Sequence, residues 1–296
     1  MVSVLPELSR RFAKMMQTEV RLLCESDISA SLRLKELARW NQTENDWRRL
    51  LRMEPSGCFC ATIAGDVVAT TTTTTYGREL AWIGMVLVDP ARRRLGIATR
   101  LMRVALEYLS KAQVCTVKLD ATTAGRPVYE NLGFKVESLI ERWEGIGGTH
   151  DLNCSTLDAA ARKEVLVLDR VAFGADRSRL IEMLIEGAHV RPLVATAANG
   201  RLTGYALVRQ GTTASYGGPL VATDADVATR LLDGLLSQMT DQRVYIDLNT
   251  DFDGGREILI ERGFVKQRDL IRMSCGKESK AGTSPSIFAI AGPEVG

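Results

Sequence analysis

Three consecutive arginines, Arg92, Arg93 and Arg94, run into Gly96 and Ala98 within the stretch ARRRLGIATRLM. These residue types at this spacing suit the binding of a phosphate. The free N–H groups at a helix amino terminus point outward with partial positive charge. Gly96 lets a ligand approach the backbone, Ala98 keeps the next turn small, and the arginines add mobile positive charge. The same residues also read as a solvated charge cluster at an ordinary strand-to-helix joint, and on the loop alone the two readings stand level. A P-loop is a poor match, because no Gly-Lys-Ser/Thr follows the glycine, and the dinucleotide fingerprint has only one of its glycines.

The elements around the loop give it a setting. LAWIGMVLV, ended by Asp89-Pro90, is the apolar run of a strand buried on both faces, and a helix follows from about Gly96 to Leu109. Upstream, EVRLLCE reads as a strand, Asp27 to Leu37 as a capped helix and DWRRLLRM as a second helix, with Thr43 or Asn45 as its cap. GCFCATIAGDVVATTTTTTYG reads as a hairpin turning at Gly65-Asp66. Its threonines, Thr70 to Thr75, favour a strand with hydroxyls on both faces; solvent exposure is the simpler expectation and the floor of a polar cavity the other. Downstream, CTVKLDAT is a strand, RPVYENLG a short helix closed by Gly133, and KVESLIERW a last strand.

The order then repeats. After a polar stretch from Gly145 to Lys163 comes a second hairpin turning at Asn199-Gly200, then a strand and amphipathic helix in ASYGGPLVATDADVATRLLDGLLSQM, and the strand RVYIDLN. GREILIERGF echoes GRPVYENLGF, with Gly-Phe closing both copies at 133–134 and 263–264. The closing segment, ending AIAGPEVG, is expected to dock a short strand on the second copy. The fold class is therefore α/β (α+β): two tandem units, each a mixed, mostly antiparallel sheet flanked by helices. The expected boundaries are 1–145 for a catalytic unit, with 1–17 a poorly ordered extension, 146–163 for a linker, and 164–296 for a divergent, non-catalytic unit.

Composition narrows the function. A net charge of +2 gives no global drive towards nucleic acid or a membrane surface, and no apolar run reaches bilayer length. Six scattered cysteines without a CxxC pair, and only His150 and His189, support neither a disulfide scaffold nor a metal site. Cys58 and Cys60 alternate along a strand and read as packing. The expected location is the cytoplasm, and the expected state a monomer or weak homodimer.

VLVDPARRRLGIATRLMRVAL resembles the signature segment of the GNAT acyltransferase superfamily, Arg/Gln-x-x-Gly-x-Gly/Ala after the central strand, with Arg93, Gly96 and Ala98 on its three positions. VYENLGF resembles that family's later motif, a tyrosine four residues before Gly-Phe. Together they cover about residues 20 to 143. The whole chain is similar to a tandem subfamily, through WNQTENDW, DRVAFGADRSRL and AIAGPEVG.

The resemblance implies acetyl-CoA as cosubstrate and no metal. Its pyrophosphate would lie on the amides of Arg94, Leu95, Gly96, Ile97, Ala98 and Thr99 beside Arg93, and its pantetheine arm would pair with Leu87 and Val88. Tyr129 would be the general acid that protonates the departing thiolate, since a phenol of pKa about 10 stays protonated at neutral pH. Many members carry a glutamate on the central strand; here Trp82, Gly84 and Met85 stand there, which leaves Asp120 as a weak proton-relay candidate and a water chain as the default. Trp40, Asn41, Gln42, Trp82 and Tyr216 are the candidate acceptor-binding residues, for a small polar amine. In the second copy, Asp224 and Asp226 would repel a pyrophosphate, and no tyrosine matches Tyr129, so that copy is expected to wall the first one's cleft. The rival readings are an acyl-CoA-binding sensor without turnover and an acetyltransferase for protein lysines or N-termini.

Overall fold

A computed structural model describes residues 18–150 and 153–296, so the expected extension at 1–17 lies outside the described residues. The first copy runs β1 (Thr18–Leu22), α1 (Ile28–Leu37), α2 (Glu44–Met53), β2 (Phe59–Ile63), β3 (Asp66–Tyr76), β4 (Leu80–Val88), α3 (Ile97–Lys111), β5 (Thr116–Ala121), α4 (Arg126–Glu130) and β6 (Lys135–Ile146). The second runs β7 (Ser155–Thr156), α5 (Ala159–Phe173), α6 (Ser178–Glu186), β8 (Leu193–Thr196), β9 (Leu202–Arg209), β10 (Ser215–Ala222), α7 (Ala225–Ser237), β11 (Arg243–Asn249), α8 (Gly255–Glu261), β12 (Val265–Gly276) and β13 (Ile287–Ala289).

Local chemistry sets the joints. Asp46 accepts from the Thr43 N–H at 2.7 Å and from its hydroxyl at 2.9 Å, closing the start of α2. The β2–β3 turn is Ala64-Gly65, one residue earlier than expected. Both residues have positive φ, 52° and 88°, as a two-residue hairpin turn requires, and Asp66 already pairs with Ile63. The threonine run is not exposed: Thr70 to Thr74 are fully buried. β3 lies inside the sheet between β2 and β4, with α1 and α2 over one face and α3 over the other.

The sheet is mostly antiparallel and crosses the copies. Its order is β1-β2-β3-β4-β5-β12-β6-β11-β13-β10-β9-β8-β7, with β4–β5 and β10–β11 as parallel pairs. Each copy's long last strand is exchanged: β12 pairs with β5 of the first copy, β6 pairs with β11 of the second, and β6 and β12 pair with each other at the centre. The short β13 docks on β10 and β11, as expected for the closing segment.

Two buried ion pairs hold this exchange. Arg272 of β12 stands opposite Asp120 of β5 and grips both carboxylate oxygens, at 2.8 and 2.9 Å. Arg142 of β6 stands opposite Asp247 of β11 and does the same, at 2.7 and 2.6 Å. All four side chains are nearly or fully excluded from solvent. The apolar cores are exchanged as well. Ile271 and Met273 of β12 pack with α3 residues Leu101 and Ala105 of the first copy, while Trp143 of β6 packs with Leu231 and Leu235 of α7 in the second. On the opposite face one core is shared, bringing Trp47, Leu50 and Trp82 together with Phe173, Leu180 and Tyr205.

Removing one member of a buried pair strands the other charge, at a cost of about 3–5 kcal/mol. Arg272→Met is therefore expected to lose about that much in urea unfolding, and adding Asp120→Asn to recover most of it. A single-mutant loss below about 1 kcal/mol would show that the pair does not hold the exchanged strand.

Candidate active site

β4 creates the site by parting from its neighbour. Its pairing with β3 slips between Thr70↔Leu87 and Thr72↔Gly84, and Met85 takes a φ of 50°, the mark of a β-bulge. The Thr70 hydroxyl donates to the Met85 carbonyl at 2.8 Å and steadies the bulge. On the other edge β4 pairs with β5 only from Leu80 to Trp82. Beyond Ile83 that edge has no strand partner as far as Leu87 and Val88, so it is open to an extended ligand. A cavity of about 100 Å³ fills the gap, lined by Met85, Leu119 and Tyr129 of the first copy and by Arg268, Pro293 and Glu294 of the second.

The arginine loop follows directly. Arg94 and Gly96 are left-handed, at φ 61° and 75°, and Gly96 caps α3. The first helical bond runs from the Arg100 N–H to the Gly96 carbonyl, so the amides of Leu95, Gly96, Ile97, Ala98 and Thr99 find no acceptor among the described residues. Arg92, Arg93 and Arg94 form no ion pair among the described residues, and Arg93 only donates to the Val88 carbonyl at 3.4 Å. A cavity of about 570 Å³, lined by Leu95, Gly96, Ile97, Thr99, Arg100 and Arg103, opens in front of these amides. Five unused donors beside unpaired arginines suit a polyphosphate.

Tyr129 stands at the far wall of the cleft. Its ring rests edge-on against Phe134, and Gly125 leaves it room, since a Cβ there would lie 3.0 Å from Tyr129 Cε2. Burial raises the phenol above its ordinary pKa, so the hydroxyl is a proton donor throughout the physiological range.

The other expected site residues divide. Trp40, Gln42 and Asp120 line the cavity, although Asp120 already gives both oxygens to Arg272. Asn41 does not line it: its amide donates to the Ala214 carbonyl, and its oxygen accepts from the Thr213 N–H and hydroxyl, at 2.8–2.9 Å. Trp82 lies wholly buried beside the wall, its indole N–H donating to the Pro293 carbonyl at 3.1 Å. Tyr216 is inside the second copy, donating to Asp247 at 3.0 Å. Asn41 and Trp82 are seam residues, because polar side chains between packed copies must find partners there, whereas Tyr216 spends its hydroxyl within the second copy.

Glu294, Arg142 and Arg268 line the cavity without having been anticipated. Glu294 is buried, accepting from Gln42 Nε2 at 3.0 Å and from Arg209 at 2.8 Å. The signal for it was Gly84. A Cβ on Gly84 would lie 2.7 Å from the Glu294 backbone, and a glycine inside a strand of large residues marks such a close approach. In the second copy, by contrast, Asp224 caps α7 by accepting from the Val227 N–H at 2.9 Å, which puts a carboxylate at that helix start.

Fold and site together define an acyltransferase. The profile described as "Acetyltransferase (GNAT) family" matches residues 24–134, and that described as "Acetyltransferase (GNAT) domain" matches residues 165–289. The chain belongs to the GNAT acetyltransferases, with two copies in tandem. It is 28% identical over 257 residues to the uncharacterized N-acetyltransferase YitH of Bacillus subtilis (strain 168), covering 84% of this chain and 88% of that one. It is 26% identical over 267 residues to a holothin acyltransferase of Pseudoalteromonas sp. (strain SANK 73390), covering 87% of each. A candidate acetyltransferase from Pyrococcus horikoshii has the same fold, with a TM-score of 0.79 at 24% identity, covering 95% of this chain and 96% of that one. No helix among the described residues is long and apolar enough to cross a membrane.

A carboxylate at position 96 would fill the approach to the free amides and repel phosphate. Gly96→Glu is expected to weaken acetyl-CoA binding at least about 100-fold in calorimetry, whereas an unchanged affinity would rule out this loop as the phosphate site.

Proposed function

We propose that the protein transfers an acetyl group from acetyl-CoA to the primary amine of a small polar molecule, by direct attack with both substrates bound. What supports this reading most is one juxtaposition: the row of unpartnered amides at the start of α3 continues into the open edge of β4, which ends beside the Tyr129 hydroxyl. A coenzyme A molecule needs a phosphate seat, an edge for its amide-bearing arm and a donor near its sulfur, in that order.

The acceptor amine occupies the cavity beside Glu294. Alkyl amines have a pKa of about 10, so most of the acceptor arrives protonated and must lose a proton to attack. Gln42 and Arg209 each occupy one oxygen of Glu294 and fix its orientation, and each oxygen keeps a lone pair for the amine. Glu294 takes the proton that the ammonium must lose. The neutral nitrogen then bonds to the acyl carbon as the carbon–sulfur bond breaks, Tyr129 gives its proton to the leaving thiolate, and the second proton shed by the nitrogen as it becomes an amide restores the Tyr129 hydroxyl. Glu294 thereby stands in for the glutamate that the central strand lacks at Gly84.

The same geometry favours turnover over mere sensing of acyl-CoA, because a hydroxyl donor and a carboxylate both face the gap. The deciding assay is release of free CoA from acetyl-CoA across an amine panel; no release with any amine, alongside tight acetyl-CoA binding, would favour the sensor.

General acid–base groups contribute about 10²–10⁴-fold to rate. Tyr129→Phe is expected to lower kcat about 100-fold without changing acetyl-CoA affinity, and equal turnover across pH would exclude the acid role. Glu294→Gln is expected to lower kcat/KM for the amine, with the deficit shrinking as pH approaches about 10, where the amine is neutral unaided. A deficit independent of pH would leave Glu294 with a structural part only.

A further inference from the structure

One charge in the acceptor cavity has no counterpart. Arg142 is paired with Asp247, Asp120 with Arg272, and Glu294 with Arg209, all within 3 Å. Arg268, which lines the same cavity, has no ion pair among the described residues, and its Nε is buried without a hydrogen-bond partner among them. It also stands opposite Arg142 in the β6–β12 ladder. Like charges facing each other across strands destabilise a sheet, and unpartnered buried donors cost about 1–3 kcal/mol. Asp247, Arg142 and Arg268 thus form a row across β11, β6 and β12 with two positive charges to one negative. Burial and the neighbouring Arg142 disfavour a charged Arg268 more than Asp247 and Tyr245 favour it, and an anion placed there would redress the balance.

We infer that Arg268, assisted by Arg142, binds a carboxylate of the acceptor, so that the substrate is a small amino-acid-like molecule bearing both an amine and an acid. Three features carry this. The unused donors of Arg268 form a fork that matches a carboxylate's two oxygens. Arg268 is half-buried while Glu294 is buried, so a molecule held by its acid at Arg268 presents its amine inward, towards the bulge of β4. Arg268 and Glu294 line the same cavity, which also takes in Met85 of the bulge, so acid and amine sites share one space. The inference rests on the acyl-transfer reading of the cleft for the amine, and on the arginine row alone for the acid.

The test uses matched probes on the full chain. Free-CoA release is measured with amino acids and with their decarboxylated amines, such as histidine against histamine and tyrosine against tyramine. In parallel, binding of N-acetyl amino acids and of the matching acid-free amides is measured by calorimetry with CoA present, which needs no turnover. The wild type is expected to favour the acid-bearing member of a pair at least about 30-fold, Arg268→Met to abolish that preference, and Arg268→Lys to restore part of it. Acetyl-CoA affinity is expected to stay unchanged in both variants. Turnover that ignores or favours the acid-free amine overturns the carboxylate site and leaves the acyltransferase intact. If no amine is acetylated but the N-acetyl acids bind through Arg268, the carboxylate site stands and the transfer reading falls. No binding of any acid, or equal binding to Arg268→Met, overturns the site whatever the turnover.

Discussion

The exchange of the two long strands is the constraint on which everything else depends. β6 and β12 each leave their own copy, and each is pinned to the other copy's preceding strand by an arginine that grips a buried aspartate at both oxygens. Such pairs add little net stability over apolar residues of the same shape, but once built they are costly to break, and they fix the register of the strands that carry them. With Arg272 opposite Asp120, Leu270 and Arg268 are carried over the gap where β4 leaves β5. The cavity at that gap is therefore a product of the seam, not of either copy alone.

The division of labour between the copies follows from the same geometry. The first copy supplies the arginine loop with its free amides, the bulged central strand and Tyr129. The second supplies walls and charges: Arg268 and Leu270 from its exchanged strand, and Pro293 and Glu294 from the closing segment. That segment is held by contacts reaching far back along the chain, with Tyr76 donating to the Val295 carbonyl and Arg177 to Gly296 O. The second copy keeps a strand-to-helix joint of its own, where Asp224 occupies the helix start and caps it.

Much of this was legible in the sequence, and what was not has physical causes. The glycine turn into α3, the short helix that carries Tyr129, the order of elements and the docked final strand could be read because each depends on neighbours within a few residues. The exchange could not: whether KVESLIERWEGI lies beside β5 or beside β11 is a choice between partners with the same alternating pattern, decided by ion pairs 105 and 152 residues apart in the chain. The threonine run misled for a related reason, since a hydroxyl that satisfies a buried carbonyl, as Thr70 does for Met85, looks in sequence like one that meets water. Asn41 and Tyr216 have the chemistry of ligand-binding residues, yet the seam takes the hydrogen bonds of Asn41, and Asp247 within the second copy takes that of Tyr216. Glu294 left a trace only as a glycine where a large residue was due, at position 84, on a strand 210 residues away.

The most direct check is a crystal structure with coenzyme A bound. The account predicts the pyrophosphate on the Leu95–Thr99 amides, the arm along the open edge of β4, and the sulfur within hydrogen-bonding reach of the Tyr129 hydroxyl, with Glu294 on the other side of the gap. Coenzyme A seated at the start of α7, or a sulfur lying away from Tyr129, would contradict it.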